Sequence, residues 1–98
     1  MVIILMGAAG DGAAVIAHAL AAEVQWPVAE WPDAGALHGI AARVLGRREH
    51  LIVVSTPLTP ADQHAVRGDL LGLRFVNLAD QDGNPERTLR AIRREFGL

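Results

Sequence analysis

Val2-Ile3-Ile4-Leu5-Met6-Gly7-Ala8-Ala9-Gly10-Asp11-Gly12-Ala13-Ala14 passes from an unbroken apolar run, through a glycine-rich turn, into an alanine-rich stretch. An apolar run of this length without polar alternation predicts a strand covered on both faces. Beyond the turn, Val15, Ile16, Ala19 and Leu20 recur at helical spacing and predict a helix over 13–24. A buried strand feeding a helix is the opening of an α/β unit, and the remaining chain repeats the alternation.

Pro27-Val28-Ala29-Glu30-Trp31 reads as a weak second strand closed by Pro32, after which Asp33 caps a helix from about 34 to 45. Leu37, Ile40, Ala41, Val44 and Leu45 form its apolar stripe. A charged turn over 46–50 leads to Leu51-Ile52-Val53-Val54-Ser55, the plainest strand of the chain. Thr59-Pro60 opens a third helix, expected to reach about Leu71. Arg74-Phe75-Val76-Asn77-Leu78 is the fourth strand, Asp82-Gly83 a turn, and Asn84-Pro85-Glu86 the start of a last helix. There Leu89, Ile92 and Phe96 face inward and Arg87, Arg90, Arg93 and Arg94 outward. The expected fold is a three-layer α/β/α domain over residues 1–98, with a parallel sheet of about four strands and right-handed crossovers.

With 98 residues the chain has room for one core, and 51% apolar residues favour a packed interior over disorder. A net charge of −2 predicts neither nucleic-acid binding nor attraction to an acidic membrane. With two Trp and two Phe as its aromatic residues, base-stacking platforms are not expected. Cysteine is absent, which removes disulfides and thiolate metal sites. The apolar start has no basic n-region and is interrupted by Asp11, and no run reaches bilayer length, so a cytoplasmic chain is expected.

Chemistry, if present, belongs where the first strand meets the first helix. The spacing of Gly7 and Gly12 matches a phosphate-binding loop, Gly-x-x-x-x-Gly-Lys-Ser/Thr, in which backbone N–H groups hold phosphates, lysine neutralises them and the hydroxyl holds magnesium. Here Ala13 takes the lysine position and Ala14 the hydroxyl position, while the Asp11 carboxylate would repel a phosphate. Two other readings stand beside this one. The glycines can simply permit a tight turn. Alternatively, Gly7-x-x-Gly10-x-Gly12 with Glu30 approximates a dinucleotide turn and its ribose-binding acid.

The whole chain resembles a shortened member of the gluconate kinase family, within the shikimate and adenylate kinase group of P-loop folds. Ile3-Ile4-Leu5-Met6-Gly7 resembles that family's opening strand and turn, and Trp26-Pro27-Val28-Ala29-Glu30 its second strand. Ala36-Leu37-His38 through Leu45 is similar to the following helix, Ser55-Thr56-Pro57-Leu58 takes the place of its Cys-Ser-Ala-Leu, and Leu73 to Leu78 that of its fourth strand. The departures weigh more. Pro32 replaces the second acid after the second strand, Thr59, Pro60 and Gln63 stand where basic residues are expected, and the arginine-bearing lid and last strand are missing. The resemblance therefore implies a catalytically inactive domain without a cofactor, retained for binding or assembly as a homodimer or with another protein. Magnesium-dependent ATP binding is not expected. The alternative it leaves is weak phosphate or nucleotide holding by Gly7, Gly10, Asp11, Gly12, Ala13 and Ala14, with Glu30 and Thr56 on the ligand side.

Four histidines, His18, His38, His50 and His64, lack ligand spacing and read as solvated or capping groups. Trp26 and Trp31 read as packing around the second strand, and the last helix's arginines as a solvated face. Ser55 and Thr56 are expected to satisfy local backbone beside the glycine turn.

Overall fold

The computed structural model describes residues 1–8, 12–81 and 83–98. The elements are β1 (Val2–Met6), α1 (Ala13–Val24), β2 (Val28–Glu30), a 3-10 turn (Ala34–Ala36), α2 (Leu37–Gly46), β3 (Leu51–Ser55), α3 (Pro60–Arg67), β4 (Leu73–Asn77), a second 3-10 turn (Leu78–Asp80) and α4 (Pro85–Phe96). All four strands are parallel, in the order β2-β3-β1-β4.

Alternation along each strand divides the core into two halves, one on each face of the sheet. Ile3 and Leu5 of β1, Ile52 and Val54 of β3 and Val76 of β4 pack with Ile16, Ala17 and Leu20 of α1 and Ile92 of α4. Val2, Ile4 and Met6, with Leu51, Val53 and Leu73, pack on the other face with Leu37 and Ala41 of α2 and Val66 of α3. Every residue of β1 and β3 is buried, as their uniformly apolar runs predict for central strands. The three-layer α/β arrangement expected from the sequence is thus present.

Several boundaries differ, β2 being shorter than expected at Val28–Glu30 and β4 starting one residue earlier at Leu73. The third helix stops at Arg67 rather than near Leu71, because Gly68 has φ 52° and ψ −124°, a conformation outside any helix. The Asp33 carboxylate accepts from Gly35 N–H at 3.3 Å as expected, but the turn it caps is 3-10, and the α-helix proper begins at Leu37. Leu78 leaves the fourth strand to start the second 3-10 turn, with Asn77 Oδ1 accepting from Ala79 N–H at 3.1 Å. At the last helix, Asn84 caps as predicted by accepting from Arg87 N–H at 3.1 Å; Asp82 of the expected turn lies outside the described residues.

Candidate functional site

The strand order sets the carboxyl ends of β1 and β3 side by side in the middle of the sheet. Gly7 is buried there, and its N–H donates to the Ser55 carbonyl at 2.9 Å, continuing the β1–β3 ladder by one step. The expected adjacency of Ser55-Thr56 and the glycine turn is therefore real. The Ser55 hydroxyl donates to the Thr56 carbonyl at 2.8 Å, which occupies it locally, while Thr56 itself is exposed.

Gly10 and Asp11 lie outside the described residues. Gly12 caps α1 with φ 71° and ψ 25°, a left-handed conformation that glycine adopts without a Cβ penalty. Among the described residues no side chain caps this helix, and its first turn carries no acid. Ala13 is 3% exposed and belongs to the α1/α4 half of the core, and Ala14 packs against the same cluster. The two positions that would carry the lysine and the magnesium hydroxyl thus hold methyl groups turned to the core.

Glu30 ends β2, and its carboxylate meets the His18 ring of α1 in a side-chain hydrogen bond between two exposed residues that sequence spacing did not announce. It arises because α1 runs over the sheet from β1 toward β2. Beyond it, Trp31 adopts φ 51°, uncommon for a large side chain, and its N–H donates to the Val54 carbonyl at 2.8 Å. Trp31 is 48% exposed, whereas Trp26 stacks on His50 with ring centroids 4.3 Å apart. Of the two, Trp26 has the packing role expected of both, and Trp31 is half exposed.

The order also bears on the dinucleotide reading. In a dinucleotide fold β2 lies next to β1, which brings its terminal acid beside the glycine turn. Here β3 intervenes, so Glu30 stands two strands from β1, roughly 10 Å away in the sheet direction.

Charge is distributed unevenly between the two ends of the sheet. Lysine is absent, so the nine basic residues are arginines. Arg43, Arg67, Arg93 and Arg94 lie in last helical turns, Arg47 and Arg48 follow α2, and Arg74 is at the start of β4; all belong to the amino end of the strands. Among the described residues Arg87 is the one arginine in a first turn. The carboxyl end carries Glu30, Asp33, Asp62, Asp80 and Glu86, and the amino end Glu23, Glu49, Asp69 and Glu95, so the arginines and not the acids make the two ends differ.

A groove of about 560 Å³ between α1 and α4 collects Arg90, Arg93 and Arg94, but Glu23 and Glu86 line it too, and Arg93 already donates to Glu23 Oε2 at 2.7 Å. Among the described residues no three His, Asp or Glu side chains gather closely enough to share a metal ion. His38 Nδ1 lies 2.8 Å from the Val66 carbonyl, and His50 Nδ1 lies 2.8 Å from the Met1 amine. Burial, and then Arg74, hold that amine below its usual range.

No protein-family model matches the chain, and no curated protein matches it in sequence.

Proposed function

We propose that this chain is a non-catalytic protein-binding module built on a shortened P-loop kinase-like framework, with the lid and last strand of the gluconate kinases it resembles missing. The observation that supports this reading most is the placement of charge. Phosphoryl transfer is catalysed almost wholly by positioning and by fixed cations around the transferring group. The end of the sheet where such a group would sit carries acids, and most of the arginines stand at the opposite end. Losing one preorganised donor commonly costs about 3 kcal/mol of transition-state stabilisation. Ala13 and Ala14 remove two contributions together.

The first turn of α1, which among the described residues has neither a side-chain cap nor an acid, favours a second reading, in which backbone amides still hold an anion weakly. Asp11 opposes it.

Isothermal titration with ATP, with and without magnesium, tests the proposal. The expected result is no magnesium-dependent heat. Magnesium-dependent binding with a Kd near about 1 μM, some 8 kcal/mol of affinity, would overturn it, because cations would then have to come from somewhere not identified above.

A further inference from the structure

β4 is the last strand of the sheet, and among the described residues no strand lies on its outer side. In a parallel ladder, alternate residues direct both backbone groups to the same neighbour. The Val2 N–H donates to the Gly72 carbonyl at 2.9 Å, so Gly72, Arg74 and Val76 address β1, and Leu73, Phe75 and Asn77 address the open side. Among the described residues, no partner meets the outward N–H and C=O of Phe75.

The Leu73 carbonyl on this open side is taken by two arginines. Arg67 Nη1 donates to it at 3.3 Å and Arg74 Nη1 at 3.0 Å. They approach from opposite faces of the sheet. Arg67 comes from α3 and lies over the Phe75 ring, 5.3 Å from its centroid, on the α2/α3 face. Arg74 projects to the α1/α4 face, the face of Val76. Neither guanidinium has a carboxylate partner in the described residues.

β4 has no proline and no bulge, and these arginines are its edge protection. A neutral strand adding here would have to displace two cations from Leu73 and leave them unpaired. A second copy pairing β4 to β4 would bring like charges together. A strand carrying carboxylates would release the arginines into ion pairs while its own N–H took over the Leu73 carbonyl. Successive side chains of a strand point to opposite faces, so two adjacent acids would reach both arginines.

We propose that the β4 edge binds an extended acidic segment of another protein by strand addition, with adjacent carboxylates on Arg67 and Arg74. Leu71, 89% exposed two residues before β4, supplies an apolar contact at one end of the added strand. The inference rests on the reading of this chain as a protein-binding module and names the face and the partner chemistry.

The test uses the full chain and synthetic eight-residue Val/Thr peptides with a central Glu-Glu, Gln-Gln or Lys-Lys pair, followed by fluorescence anisotropy and amide exchange. The Glu-Glu peptide is expected to bind, less tightly as salt rises, and to slow exchange at Leu73, Phe75 and Asn77. Arg67→Gln and Arg74→Gln should each weaken it about threefold and the double variant about tenfold, the range of exposed ion pairs. N-methylation of alternate peptide residues should abolish binding without touching the protein fold. Equal binding of all three peptides, unaltered exchange in β4, or a dimer that protects β4 without peptide would each overturn the inference. Such a failure with ATP still unbound would leave the non-catalytic reading standing, whereas magnesium-dependent ATP binding would remove that reading whatever the peptides do.

Discussion

Gly68 and Gly12 both have positive φ, but they differ in what surrounds them. At Gly12, φ is 71° and a Cβ would meet nothing within 4 Å, so replacing it costs backbone strain alone. Gly12→Ala is expected to lower the unfolding free energy by about 1 kcal/mol, the usual penalty for a left-handed residue with a side chain. At Gly68 a Cβ would lie 2.9 Å from His38 Cε1, and that ring is tied to the Val66 carbonyl through Nδ1. Strain and clash combine there, so Gly68→Ala should cost about 3 kcal/mol. Urea unfolding of the two variants checks this, and equal losses would mean that the His38 ring swings aside. The role of Gly12 was legible, since a glycine between a strand and a helix is a turn signal. That of Gly68 was not: it depends on a histidine from another helix, and local periodicity carried the expected helix past it. The His18–Glu30 pair was hidden for the same reason, being made by the packing of α1 beside β2 and not by spacing.

The helices differ in how far local chemistry supports them. α3 has eight residues, short enough that its own hydrogen bonds would not sustain it, and Val66 is its one buried side chain. Its start is fixed by Thr59, whose Oγ1 accepts from the Asp62 N–H at 3.1 Å, with Pro60 preset for the first turn. Thr59→Ala should therefore cost about 1 kcal/mol and speed exchange at the Asp62 amide. An unchanged urea midpoint would mean that packing of Val66 alone positions the helix. β1 and β3 were readable because each is an unbroken apolar run, and α4 because its apolar residues keep the helical period. At α2, the 3-10 turn of Ala34–Ala36 was not readable, because Asp33 caps either kind of turn with the same side chain. The composition of β4 was the local hint of its edge position, since Arg74 and Asn77 break the apolar run that β1 and β3 keep, but which side stays open is set by the strand order.

At the scale of the molecule, these local preferences add up to a polarity. Every helix of a parallel α/β domain runs opposite to the strands, so all the helix N-termini gather at one end of the sheet and all the C-termini at the other. Each helix favours acids in its first turn and bases in its last, by about 0.3–1 kcal/mol at low salt. Asp62 and Glu86 at first turns, and Arg43, Arg67, Arg93 and Arg94 at last turns, follow that rule. The arrangement stabilises the fold, yet it fills the end where anions bind in related architectures with negative charge. Titration with pyrophosphate, followed by amide chemical shifts, should therefore move signals near Arg43, Arg47 and Arg48 before those of Gly12, Ala13 and Ala14. Asp11→Asn should increase the response of the glycine turn, because one repelling charge is removed while the helix N-terminus is kept. If the wild-type turn instead saturates with a Kd below about 1 mM, its backbone amides outweigh the surrounding carboxylates, and the weak anion-holding reading replaces the one based on charge polarity.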